Sequence, residues 1–252
     1  MPMNFLRSLL HLVWMMVTVV PWALFVVGVS FFISSTRLYW ICAGWLRVAV
    51  HGGTAILGIH NRIQGMENLP SGSKDPAVLL VKHQSVWETF VMPVIMPHPL
   101  AYVFKKELLH VPFFGWAMGR MDMIHIDRSQ KSRAFAKVVQ QGRRLMAEGV
   151  WVIMFPEGTR TERGSQGEYK TGGTRLAIAA GVPVIPIAVT SARCWPRKAF
   201  IKRPGTVDIS IGKPIPSAGR QADELMAEVE AWIEAEMRRL DPEAYPPQPT
   251  SH

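Results

Sequence analysis

Ala77-Val78-Leu79-Leu80-Val81-Lys82-His83-Gln84-Ser85-Val86-Trp87-Glu88 is the stretch that decides the fold of this chain. Five apolar residues, 77–81, stop abruptly at a polar run, the pattern of a buried strand whose carboxyl end presents functional groups. Working outward, similar short runs occur at residues 101–104, 123–126, 150–155 and 184–189, with helical patterns between them. This alternation predicts an α/β domain with a largely parallel sheet flanked by helices. Ser129 or Ser132 is placed to cap a helix running towards Glu148, which Gly149 would stop. Leu225, Val229, Trp232, Ile233 and Leu240 recur at helix-like intervals over 223–240 and predict an amphipathic helix on the core. Pro246, Pro247 and Pro249 mark residues 242–252 as a disordered tail.

Upstream, residues 9–33 read LLHLVWMMVTVVPWALFVVGVSFFI without a formal charge, long enough to cross roughly 30 Å of hydrocarbon. No small-residue cleavage site follows, which favours an N-terminal helical membrane segment over a signal peptide. Pro21 removes a backbone donor midway, leaving a spanning and a re-entrant helix both open. Residues 38–58 are apolar but carry Arg47, His51 and the pair Gly52-Gly53, which suits an interfacial or hairpin partner helix. Residues 1–62 are therefore expected to be the membrane anchor and residues 63–241 the catalytic domain.

The 252 residues hold 28 Lys and Arg against 19 Asp and Glu, a net charge of +9. Arg7, Arg37, Arg47 and Arg62 frame and follow the apolar stretches, and no acid precedes Glu67. Arginines beside an anchor favour membrane lipid phosphate, rather than nucleic acid, as the partner of this charge. Their distribution also favours a catalytic body on the cytoplasmic face, in a bacterium that of the inner membrane. A charged fraction of 19% beside a hydrophobic fraction of 48% excludes intrinsic disorder and polytopic membrane character alike. Cys42 and Cys194 stand far apart with no Cys/His cluster, so neither a disulfide framework nor a metal site is expected.

Three clusters carry chemical information. In the first, His83 and Glu88 lie five residues apart. A continuous helix would rotate them by about 500°, roughly 140° net, away from each other. His83 must then precede the helix, where a turn can return Glu88 to one ring nitrogen and leave the other free to take a proton. Ser85 is a rival nucleophile, but no G-x-S-x-G elbow surrounds it. In the second cluster, Phe155-Pro156-Glu157-Gly158-Thr159-Arg160 follows an apolar strand. The Gly158 N–H is placed to face a developing oxyanion and Arg160 to grip a phosphate; a tight turn with a salt-bridged Arg is the competing reading. In the third, residues 119–128 end on Asp127-Arg128, where Arg128 offers a second phosphate contact or a surface ion pair, and His125 packs beside the strand.

Taken in order, His83-Gln84-Ser85 with Glu88, then Ile126-Asp127-Arg128, then residues 155–160, then Val182-Pro183-Val184-Ile185-Pro186 closely resemble the motifs of the glycerolipid acyltransferases. The resemblance implies transfer of a fatty acyl group from acyl-CoA or acyl carrier protein to the 2-hydroxyl of lysophosphatidic acid, giving phosphatidic acid, with no cofactor or metal. It implies catalytic roles for His83, Glu88 and Gly158, with Glu88 standing where the family usually has Asp. It further implies acceptor binding by Lys105, Arg128, Glu157, Thr159 and Arg160. Another lysophospholipid acceptor, a membrane-anchored thioesterase or lipase, and a non-catalytic lipid-binding protein are the alternatives.

Overall fold

The structure, a computed structural model, describes residues 2–33, 35–72, 75–126 and 131–245, without the side chains of 35 and 131–134. Seven strands form one sheet in the order β1-β7-β6-β2-β5-β3-β4: β1 (Ile59–Gln64), β2 (Val78–Val81), β3 (Leu100–Lys105), β4 (Ile124–Ile126), β5 (Trp151–Met154), β6 (Val184–Val189) and β7 (Gly205–Ile211). All neighbours run parallel except β6 and β7. The expected largely parallel α/β sheet is therefore present. Strands β2, β3 and β5 point their carboxyl ends the same way, so Lys82, Lys105 and Phe155 emerge along one edge.

The two-residue period of β2 explains its central place. Val78 and Leu80 enter one core layer with Leu176, Val229 and Ile233. Leu79 and Val81 enter the other with Trp87, Met92 and Ile153. A strand buried on both faces must be apolar throughout, which is why its sequence is continuous rather than alternating. Helices α5 (Lys131–Ala147), α6 (Gly172–Ala180) and α7 (Ala222–Leu240) cover the first layer. Helix α3 (Trp87–Ile95) and α2 (Ser35–Gly52) cover the second; the short α4 (Phe114–Met118) lies beside α1 (Pro2–Val29). Gly149 takes φ 83° after α5, the stop expected of it. Ser129 lies outside the described residues, as does the side chain of Ser132.

Two strands were not legible. β1 is an edge strand with only Ile59 buried, so its sequence, IHNRIQ, is polar. β7 interrupts its apolar residues with Asp208 and Ser210, yet both are buried; the Asp208 carboxylate is held by Arg62 and Arg193. Because β1 pairs with β7 along its whole length, the expected boundary at residue 62 moves back to Gly58, ahead of the strand. The expected tail is corrected likewise. Tyr245 is 4% exposed and its hydroxyl meets Gln84, so the folded body continues to residue 245; residues 246–252 lie outside the described part.

Helix α1 continues through Pro21 and is long and apolar enough to cross a membrane. It pairs with α2 through Trp22 Nε1 to the Ile41 carbonyl (3.1 Å) and Trp45 Nε1 to Thr18 Oγ1 (3.2 Å). Gly52 permits this closeness, since a β-carbon there would stand 2.3 Å from Trp14 on α1, and Gly53 admits Trp87 of α3, which a β-carbon would meet at 2.5 Å. Both ends of α1 touch the α/β domain. Phe5 packs on Phe200 and the Ser8 hydroxyl accepts from the Lys202 N–H at one end, while Arg120 lies over Phe31, just past the other end. Leu6, Leu10, Val13, Val17, Leu24 and Phe25 remain exposed.

Candidate active site

β2 ends at Val81, α3 begins at Trp87, and His83 sits in the turn between them, as the five-residue spacing required. Glu88, in the first turn of α3, folds back over that turn. Its Oε1 accepts from His83 Nδ1 (2.9 Å), the Gln84 N–H (2.7 Å) and the Ser85 N–H (2.7 Å). Its Oε2 accepts from Ser191 Oγ (2.6 Å). A group that accepts from two backbone N–H groups and a hydroxyl is a carboxylate, so the proton on the imidazole belongs on Nδ1. The Nε2 lone pair is thereby left available as a base. The ring lies flat on Phe155, centroids 3.9 Å apart at 17°, and faces a cavity of about 890 Å³.

Lys82 and Glu157 explain why that turn keeps its shape. The Lys82 ammonium, fully buried, donates to Glu157 Oε1 (2.8 Å), to Glu234 Oε1 on α7 (2.7 Å) and to the Ser165 carbonyl (3.2 Å). Glu157 also accepts from the His83 N–H (3.1 Å) and the Gly167 N–H (3.0 Å). The Tyr169 hydroxyl donates to Glu234 (2.8 Å); burial, then the charges of Glu234 and Glu157, raise its pKa and keep it a neutral donor. The Thr161 N–H closes the other side on the His83 carbonyl (2.8 Å).

Glu157 is therefore not an acceptor-binding residue. A carboxylate at that position is consumed by a buried lysine and by the backbone of His83, so it positions the base rather than the substrate. Gly158 lines the cavity. Its φ of 65° makes the turn, and its N–H donates to the Phe155 carbonyl (2.9 Å). What the turn does is set Thr159 and Arg160 on the cavity wall, where Lys105 and Lys170 also stand. Arg160 and Lys105 make no ion pair with other described residues. Asp127 and Arg128 lie outside the described residues. His125, expected to pack beside the strand, is instead the central residue of β4, and its ring meets Lys137 (3.0 Å).

Away from this cationic wall the cavity is apolar, lined by Trp45, Phe90, Tyr102, Phe114, Met118 and Val138. Tyr102 donates to the Thr89 carbonyl (3.1 Å), and burial raises its phenol well above its ordinary value. Ser85 is buried with Oγ accepting from the Trp87 N–H (3.2 Å), a turn-stabilising contact rather than a nucleophile's. Ser191 and Glu234 were missed by sequence reasoning. They sit 103 and 146 residues from Glu88, and no local spacing announces either; Lys82 was visible, but only as the neighbour of His83.

The comparisons with known proteins agree with this geometry. A family model described as Acyltransferase matches residues 60–190. A 1-acyl-sn-glycerol-3-phosphate acyltransferase of Pseudomonas aeruginosa is 40% identical over 221 residues, covering 84% of each chain. The chloroplastic 1-acyl-sn-glycerol-3-phosphate acyltransferase LPAT1 of Arabidopsis thaliana is 32% identical over 69% of this chain and 48% of its own length. The fold matches the crystal structure of the 1-acyl-sn-glycerophosphate acyltransferase from Thermotoga maritima with a TM-score of 0.79, at 22% identity, over 94% of this chain and 96% of that one. The matched residues run through both halves of the His83 site, from β1 to the threonine before Ser191, and on that ground the chain belongs to the acyltransferase family as an O-acyltransferase.

Proposed function

We propose that this enzyme acylates the 2-hydroxyl of 1-acyl-sn-glycerol 3-phosphate with acyl-CoA or acyl carrier protein as donor, releasing phosphatidic acid and the free thiol. The observation that carries the reading is the His83–Glu88 pair opening onto an apolar cavity whose wall holds Arg160 and Lys105, cations with no ion pair among the described residues. Arg160 and Lys105 supply the charge a monoester phosphate needs, and the apolar part suits acyl chains.

In the reaction Nε2 of His83 removes the hydroxyl proton as the oxygen attacks the thioester carbonyl. Glu88 stabilises the imidazolium through Nδ1–H. The C–S bond then breaks and the departing thiolate takes the proton from Nε2. General-base assistance of this type contributes about 10²–10⁴-fold. The thioester is already activated, so no covalent acyl-enzyme is needed.

The apolar α1 supports a membrane placement. With both of its ends on the catalytic body, the helix lies along one leaflet and buries its exposed apolar row there, with the body on the cytoplasmic side. His83 then meets an acceptor that never leaves the lipid.

The test is purified protein with a labelled acyl donor and a panel of lysolipids, following acylated lipid and free fatty acid together. Acylated lipid from the phosphate monoester acceptor is expected to dominate. Release of free fatty acid alone would assign a thioesterase instead.

A further inference from the structure

Where the amino end of α1 meets the loop after β6, a lysine and a histidine with buried side chains share one aromatic ring, and neither has a counter-charge among the described residues. Lys202 is 8% exposed, and its Nζ makes no ion pair or hydrogen bond with another described residue. Its company is aromatic: Nζ stands 4.8 Å from the Trp195 ring centroid and 5.2 Å from that of Phe200. His11 is 1% exposed and packs edge-on against the same Trp195. Its Nε2 has no hydrogen-bond partner among the described residues, and the Lys202 charge reaches the ring. A lysine with its stem buried and no counter-charge among the described residues keeps its charge unneutralised, and two aromatic faces offset only part of that. The place is built: the Lys202 N–H is fastened to Ser8 on α1 (2.9 Å).

The surroundings select the missing charge. Residues 191–206 contain Arg193, Arg197, Lys198, Lys202 and Arg203 and no acid. Lys198 and Arg203 are exposed. Phe200 and Ile201 are also exposed, and Phe200 continues the apolar row of α1 through Phe5. None of Lys202, His11 and Trp195 lines the cavity at His83.

We propose that Lys202 and His11, rimmed by Lys198 and Arg203, bind the phosphate of an anionic phospholipid in the leaflet that receives α1. An ammonium and an imidazole with an unpartnered ring nitrogen stand on the same indole, and a phosphodiester brings acceptors only. The site rests on the membrane placement of α1 given above. Bound lipid would fix the seam between α1 and the loop, holding the enzyme at a set depth beside the exposed Phe200 and Ile201.

The experiment is flotation of the full chain with vesicles of phosphatidylcholine alone and of phosphatidylcholine mixed equally with phosphatidylglycerol. Wild type is expected to bind both and to prefer the anionic vesicles. Lys202→Met should lower that preference about fivefold, the worth of one cation near a charged surface. Lys202→Arg should retain it, and both variants should acylate a soluble short-chain lysophosphatidate normally. If Lys202→Met fails to fold, the exposed pair Lys198→Gln/Arg203→Gln gives the same readout. An unchanged preference in the folded variant overturns the site. Loss of wild-type preference to inorganic phosphate at matched ionic strength also overturns it, assigning free phosphate instead. Wild type that binds both vesicles equally sinks this site alone; wild type that binds neither sinks the membrane placement as well.

Discussion

The turn that carries His83 and the wall that faces it are held in opposite ways. Around the turn nearly every charged or polar group is spoken for: Glu88 takes four donors, and Lys82 joins strand β2 to α7 through two carboxylates. Across the cavity, Arg160 and Lys105 have no acidic partner among the described residues. The difference separates two jobs. A base must be oriented to within a fraction of an ångström before substrate arrives, so its surroundings are complete in the free enzyme. Groups meant for a phosphate stay without a counter-charge because the ligand brings one.

The sharpest way to break this contrast is Lys82→Met. It leaves Glu157 and Glu234 buried without their cation, and removing one partner of a buried ion pair costs about 3–5 kcal/mol. The loss should appear in denaturant unfolding as a lower midpoint; a variant as stable as wild type would show that the network holds nothing. Next comes Arg160→Gln on the opposite wall. Here stability should be unchanged while the KM for the phosphorylated acceptor rises about 10-fold or more, as expected for losing one charged hydrogen bond of about 1.5–3 kcal/mol. A fall in stability instead would make Arg160 a structural residue like Lys82. The smallest effect is Ser191→Ala, which removes one of four donors to Glu88. A net hydrogen bond of about 1 kcal/mol predicts a several-fold drop in kcat with little change in KM. An effect on KM alone would mean that Ser191 acts on substrate rather than on the base.

The same contrast marks what was legible in the sequence. The His83–Glu88 pair was readable because helical rotation forbids a shared face at a separation of five, which forces the turn that is observed. The central strands were readable because burial on both faces demands continuous apolar runs. Glu157 was misassigned because a carboxylate in a strand-end motif serves a buried lysine as well as a ligand, and the deciding partner, Lys82, lies 75 residues earlier. The turn at Gly158 was foreseen; that its N–H is engaged by the Phe155 carbonyl is a closure that spacing alone does not reveal. β1 and β7 escaped because one is exposed and the other buries an aspartate against arginines.

The central claim is that one imidazole, oriented by Glu88 and open to the cavity at Nε2, takes the acceptor's proton. The direct measurement is turnover of labelled acyl donor by His83→Ala, alongside its unfolding midpoint. The account predicts a loss of about 10²–10⁴-fold in kcat with the midpoint within experimental reach of wild type. Turnover equal to wild type in a folded preparation would contradict it.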